Sequence, residues 1–305
     1  MNLEQLRGFV TISEVGHFTR AAELLHLTQP SLSRQVSTLE QELGSELFHR
    51  ARGNISLTSA GQALLPRARR MLADEESIRS EMADLAGLRR GRVRLGAPPT
   101  LCVSVVAQAL GTFHDRYPGV QLQISEAGSR ELLDQLNGGL LDLALIVTSE
   151  HSINGSNLDS LALFKEELVV VDSTTNPHLP ELEELDLRAL APVPQIAFSR
   201  SYDLRASTMR TYRDAGLHPN VVVEGGEMDA VLRFVKQGLG VAVVPATVAL
   251  ESSGLRTIAL RAPQLSRTVG LAHRKDVALT RAATAMQDLL ADTAKELSER
   301  HEQIT

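Results

Sequence analysis

Between Thr28 and Gln41 the chain carries side chains that suit reading the edge of a base pair. Gln29 has an amide that can pair bidentately with adenine, and Arg34 a guanidinium that can pair with guanine or grip a phosphate. Thr28, Pro30, Ser31, Ser33, Ser37 and Gln41 keep the rest of that face short, and no carboxylate appears before Glu40. A helical hairpin with a solvated, serine-rich face has the same local pattern, so the neighbouring elements must decide between the two readings.

Those elements can be read from spacing and punctuation. A first short helix is expected over 19–25, with Thr19 placed to cap it, Glu23 to support its first turn, and Ala21 and Ala22 small enough to admit a close helix crossing. His26, Leu27 and Thr28 form the turn. Thr28 is placed to cap the next helix, with Pro30 in the first turn where a missing N–H costs nothing. Leu32, Val36, Leu39 and Leu43 recur at helical spacing as its buried stripe, which leaves the polar face outward, its N-terminal end favouring phosphate.

Upstream, Leu3, Leu6, Phe9, Val10 and Ile12 form an amphipathic helix ending at Gly16, which closes a small core with Leu24, Leu25, Leu39 and Leu43. Downstream, two short strands at 47–50 and 55–57 flank Arg52-Gly53-Asn54, a turn sequence. Beside a helix-turn-helix this hairpin reads as a wing whose Arg50 and Arg52 approach the backbone or minor groove. Thr58 or Ser59 then caps a long helix to about residue 86. Leu64, Met71, Ile78 and Leu85 fall seven residues apart on it, and Ala68 and Met82 complete the stripe. A heptad with little other core to face implies a partner helix, hence a dimer and a near-palindromic DNA site.

These motifs resemble the N-terminal domain of LysR-type transcriptional regulators. The match runs through 18–22, 28–33, Leu39-Glu40, 44–50 and 57–61, continuously over about the first 65 residues. The resemblance implies that Gln29, Pro30, Ser33 and Arg34 form the major-groove face and Arg52 the wing. It also implies a long linker helix, an effector domain like a periplasmic binding protein, and dimers paired into tetramers.

The remaining chain fits that expectation. Residues 88–92 are basic and read as a hinge. From 93 the pattern alternates strands and helices, which means βαβ units and ligands at strand ends. The expected division is a winged head over 1–58, all-α apart from its wing, a linker over 59–87, the hinge, and a two-lobed α/β effector domain over 93–305. Lobe I takes 93–166 and 267–305, and lobe II takes 167–266. Candidate effector contacts sit where strands end. Thr100 and Ser129 begin helices and could hold a carboxylate, Thr148 ends the strand of lobe I, and Ser199, Arg200, Tyr202 and Gly226 follow strands of lobe II. In family members that bind small acids, positions like Thr100 and Ser129 are used, so a small anionic effector is the expected ligand.

Composition bounds the alternatives. The chain has 305 residues, of which 43% are hydrophobic and 22% charged, with net charge −6. Residues 1–92 hold 12 Arg and no Lys against 11 Asp plus Glu, a net of +1 that leaves −7 for the remainder. Local clusters such as Arg67, Arg69 and Arg70 therefore matter more for phosphate contact than the total. The N-terminus lacks the pattern of a signal peptide and no apolar run is long enough for a membrane span, so a cytoplasmic protein is expected. Its partners would be promoter DNA, a second copy, the effector, and RNA polymerase at the promoter. No cofactor or metal site is expected.

The lone Cys102 excludes an internal disulfide but leaves open a thiol-based redox regulator. A DNA-tethered enzyme is the other alternative, although the nine histidines form no metal motif and neither GxSxG nor a phosphate loop occurs. Asp142 and Asp172, with no evident catalytic partner, read as turn residues or solvated charges.

Overall fold

Three helices form where the apolar period requires them, and their ends follow local chemistry. Helix α1 (Leu3–Val15) opens on a reciprocal capping box between Asn2 and Gln5 and closes at Gly16, whose φ of 70° suits glycine. Helices α2 (Phe18–Leu24) and α3 (Gln29–Leu43) follow. The structure, a computed structural model, describes all residues except 52–53, 85–90, 149–156, 200–201, 251, 262–264, 302–303 and 305; at 50, 51, 54, 80, 81, 83, 84 and 148 it describes the backbone alone.

Leu6, Phe9, Ile12, Leu32, Val36 and Leu39 make the head's core, with Ala21 and Ala22 buried where α2 crosses. Strands β1 (Phe48–Ala51) and β2 (Asn54–Leu57) pair antiparallel as the wing. The Phe48 ring enters the core 5.3 Å from Phe9 and 5.9 Å from Phe18. Buried Glu40 accepts a 2.9 Å hydrogen bond from the Leu47 N–H, which ties the end of α3 to the wing.

Four expectations of detail fail here. Thr19 lies inside α2, whose N-cap is His17. Thr28 occupies the N-cap of α3 but its side chain makes no capping hydrogen bond. Leu24 and Leu43 are exposed, because each ends its helix just past the last turn that has a neighbour to pack on.

Helix α4 (Ser59–Asp84) has 26 residues, about 39 Å at 1.5 Å per residue. The Thr58 hydroxyl starts it, accepting from the Gly61 N–H at 3.0 Å and donating to the Glu46 carbonyl at 2.7 Å. Leu64 and Ala68 pack on the head, whereas Met71, Ile78 and Met82 are exposed; Leu85 lies outside the described residues. Arg7 pairs with Glu75 at 2.7 Å, which joins α4 to the head. On its other side Asp74 meets Arg274 at 3.2 Å and Arg70 pairs with Asp276.

The rest is a two-lobed α/β unit. In lobe I, β3 (Gly91–Ala97) pairs parallel with β4 (Val120–Glu126) and β5 (Leu143–Thr148). The first helical segment after β3 is α5 (Pro99–Leu101), then a π-turn over Cys102–Val106, then α6 (Ala107–Arg116), rather than one continuous helix. Helix α7 (Ser129–Asn137) follows β4. Strand β6 (Leu158–Ser173) then runs from one lobe into the other.

Lobe II contains β7 (Glu184–Leu185), α8 (Leu187–Leu190), β8 (Gln195–Ala197), α9 (Asp203–Asp214) and β9 (Val221–Glu224). It continues with α10 (Met228–Lys236), β10 (Ala242–Pro245), α11 (Ala246–Leu250) and β11 (Leu255–Leu260). Strand β12 (Ser266–Arg274) returns to lobe I between β5 and β6, and α12 (Arg281–Arg300) packs there. The first half of β6 pairs with β12, and its second half with β10 and β11. Asp142 and Asp172 are structural anchors rather than solvated charges. Asp142 binds Arg94, and fully buried Asp172 binds Arg256 and accepts from the N–H groups of Ser173, His178 and Leu179.

Gly61 gives a test of the head–linker junction. A Cβ there would lie 2.2 Å from the Leu47 carbonyl oxygen, so the backbone itself must move to admit it. Gly61→Ala is expected to lower stability by about 1–3 kcal/mol in urea unfolding, although alanine is the better helix former by about 1 kcal/mol. A stabilised variant would refute that packing.

Candidate nucleic-acid interface and interlobe cleft

The outward face of α3 has the expected composition. Thr28, Gln29, Pro30, Ser31 and Arg34 are exposed, and Ser33 and Ser37 are half-buried at its flank. Because Thr28 leaves the helix start without a side-chain cap, its first N–H groups are not consumed by that hydroxyl. A helix start of this kind carries partial positive charge and suits a phosphate. The wing is tied to the far end of α3 through Glu40; Arg50 is placed on β1 by its backbone, and Arg52 lies outside the described residues.

A second candidate site lies between the lobes, a cleft of about 510 Å³ that can take a small organic molecule. Its described lining brings together Thr100 and Tyr202 from the expected set. Thr100 is buried, and its hydroxyl accepts from Arg267 Nη1 at 2.9 Å. Tyr202 stacks on Phe198 with centroids 5.3 Å apart and donates its phenol proton to Glu227. Burial first, and then the Glu227 carboxylate, push the phenol pKa up.

Ser129 is at the cleft edge but is already engaged. Its hydroxyl accepts from the Val147 N–H at 3.0 Å, and its own N–H donates to Asp203 Oδ2 at 2.9 Å across the lobe boundary. The α7 start, expected to hold an effector carboxylate, thus holds the chain's own. Ser199 and Gly226 are not among the lining residues; Gly226 packs on Val231, and its neighbour Glu227 faces the cleft instead. Thr148 is known only by its backbone on β5, and Arg200 lies outside the described residues.

Sequence reasoning missed Glu126, Arg130, Asp203, Glu227 and Arg267. Glu126 and Glu227 could have been found, since each stands at or just beyond a strand's carboxyl end. Arg267 could not. It lies on β12, opposite Glu166 of β6, and the partners are 101 residues apart. Arg267 Nε donates to Glu166 Oε1 at 2.8 Å, while Nη2 sits 2.7 Å from the same oxygen without hydrogen-bond geometry. Glu166, with no exposure, also accepts from the Thr247 hydroxyl at 2.8 Å, so the network joins Thr100 of lobe I to Thr247 of lobe II.

The surroundings of Cys102 disfavour its thiolate. Burial, reinforced by the negative charge of Glu126, pushes its pKa up to about 12, and Sγ sits 3.7 Å from the Ala97 carbonyl. Reactive cysteines have the opposite shift. Among the described residues no cluster of His, Cys, Asp and Glu could hold a metal ion, and no helix is long and apolar enough to cross a membrane.

A winged head on a long helix, followed by two lobes around a ligand-sized cleft, defines a DNA-binding regulator with an effector domain. The family models agree: "Bacterial regulatory helix-turn-helix protein, lysR family" matches residues 3–62 and "LysR substrate binding domain" matches 86–295, so the chain belongs to the LysR family of transcriptional regulators. It is 33% identical over 276 residues to the uncharacterized HTH-type regulator YybE of Bacillus subtilis, covering 90% of this chain and 93% of that one. It is 32% identical to a probable hydrogen peroxide-inducible genes activator of Streptomyces viridosporus, over 91% of this chain and 89% of that one. A solved full-length OxyR variant from Pseudomonas aeruginosa superposes with a TM-score of 0.73 at 26% identity, covering 97% and 95%. Regulators of this kind act by binding DNA, not by turning over a substrate.

Two outcomes follow from this geometry. Arg267→Met strands the buried Glu166 charge and is expected to cost about 3–5 kcal/mol of stability in chemical denaturation, most of it restored by adding Glu166→Leu. Cys102 in the native protein should react with iodoacetamide at pH 7 about a thousandfold more slowly than in the unfolded chain, whose thiol pKa is near 8.5. Comparable rates would reopen the redox alternative.

Proposed function

We propose that this regulator reads duplex promoter DNA with Gln29, Pro30, Ser33 and Arg34 in the major groove, flanked by Thr28, Ser31 and Ser37. Arg50 and Arg52 of the wing add backbone or minor-groove contacts. The observation that carries the reading is the exposed start of α3, which has no side-chain cap and no carboxylate in its first turns. Contacts near a recognition helix's N-terminus are those that reach base edges.

The active form is at least a dimer. Met71, Ile78 and Met82, exposed on α4 at 46%, 59% and 56%, form with Leu85 the seam for a second linker helix, while Leu64 of the same heptad packs on the head. The division is head 1–58, linker 59–87, a hinge and the effector domain; residues 91–92, expected in the hinge, pair with β4 as the start of β3 and so belong to the effector domain. Pairing of dimers into a tetramer is what the family implies, and RNA polymerase is the further partner at the promoter.

The interlobe cleft is the effector site, and ligand there shifts the lobes against each other. The Thr100–Arg267–Glu166–Thr247 chain spans both lobes and would register such a shift. The linker's ion pairs with lobe I, Asp74–Arg274 and Arg70–Asp276, connect it to the DNA-binding half. A ligand moves this equilibrium only through unequal affinity for the two arrangements.

Sequencing of genomic fragments retained by the purified protein at stated salt would test the DNA reading. Sharp peaks sharing an interrupted palindrome are expected, and diffuse, salt-fragile retention would refute it. Arg34→Ala should weaken operator binding about 5- to 150-fold, the equivalent of ~1–3 kcal/mol, with ligand affinity unchanged.

A further inference from the structure

The charge of the interlobe cleft runs against the anionic ligand expected from sequence. Its described lining holds five carboxylates, Glu126, Glu131, Asp134, Asp203 and Glu227, against two guanidiniums, Arg130 and Arg267. Arg267 is neutralised in place by the fully buried Glu166.

The other anion-binding devices are also occupied by the chain itself. Asp203 takes the Ser129 N–H at the start of α7, and the Tyr202 hydroxyl donates to Glu227. A ligand carboxylate entering there would displace Asp203 and meet the remaining acids at close quarters. Like charges brought that close repel, and more strongly as the ligand excludes water between them.

The acceptors, by contrast, stand exposed. Glu126 ends β4, Glu131 and Asp134 share one face of α7 three residues apart, and Glu227 lines the cleft from lobe II. The charge of Glu126 is felt at Tyr202, so the acids of the two lobes act on one space. These acids do not converge into a metal-binding cluster among the described residues. The volume, about 510 Å³, is that of an organic guest rather than an ion.

One donor lies at the opposite wall. The Thr100 hydroxyl accepts from Arg267 Nη1 and keeps its own proton to give, whereas Arg267 Nη2 is buried against Glu166 Oε1 at 2.7 Å. A ligand with an acceptor at one end and a cation at the other matches both walls.

We propose that the effector is a small organic cation, carrying an ammonium or guanidinium group for Glu126, Glu131 and Glu227 and an acceptor group for the Thr100 hydroxyl. Basic amino acids have this chemistry. The inference rests on the cleft being the effector site. It adds the ligand's charge and polarity.

Calorimetric titration of the full-length protein in physiological salt would test it, with L-lysine, L-arginine, putrescine, succinate, benzoate and glucose as probes. Saturable binding of lysine or arginine is expected, with putrescine weaker for want of an acceptor. Affinity should fall at least tenfold in Glu126→Gln and in Glu227→Gln. It should vanish in Ala127→Trp, which fills the cleft and whose folding is checked by its thermal melt. Succinate or benzoate binding that Ala127→Trp abolishes would overturn the cationic class and leave the cleft as effector site. Cation binding that survives Ala127→Trp would place the ligand elsewhere and overturn the proposal. Binding of none of the probes would overturn it together with the reading of the cleft.

Discussion

The effector domain depends on two strands that cross between its lobes, and on the ion pair buried where they cross. Strand β6 leaves lobe I with its pairing to β12 and enters lobe II with pairings to β10 and β11. Glu166 and Arg267 face each other there, both almost without exposure. A buried pair contributes little net stability over an apolar pair of the same shape, yet breaking it is costly. Its consequence is therefore positional. It holds Thr100 of one lobe and Thr247 of the other to a single carboxylate–guanidinium core, so a change in lobe angle is felt by hydrogen bonds rather than by flexible chain.

The same economy governs the cleft. Groups that would recognise a guest are already engaged by the chain: Asp203 ties the lobes together at the start of α7, and Glu227 takes the Tyr202 phenol within lobe II. A closed arrangement stabilised by such contacts competes with ligand for the same atoms. A ligand would favour one lobe arrangement over another only through unequal affinity for the two. The linker helix is clasped by the head through Glu75 and by lobe I through Asp74 and Arg70.

The DNA-reading half was legible in sequence because its determinants are local. Leu32, Val36 and Leu39 mark the buried stripe of α3, Gly16 ends α1, and the Thr58 hydroxyl caps α4. Each depends on neighbours within a few residues. Legibility ended where a helix lost its neighbours: Leu24 and Leu43 obey the period and are nevertheless exposed. Glycine roles such as that of Gly61, pressed against the Leu47 carbonyl, were visible as a motif but not as a reason.

By itself the sequence determined the winged head, the long helix and the alternation of strands and helices, because helical and strand periods and caps are written in contiguous residues. It also identified Thr100 and Tyr202 as cleft residues from their places after strands. Only the tertiary structure decided the charge of the cleft. Glu166 meets Arg267 across 101 positions and Asp203 meets Ser129 across 74, and no local pattern encodes which side chain a distant strand or helix start will receive. Long-range pairing is what turns an expected anion site into one already filled, and leaves the cleft acidic.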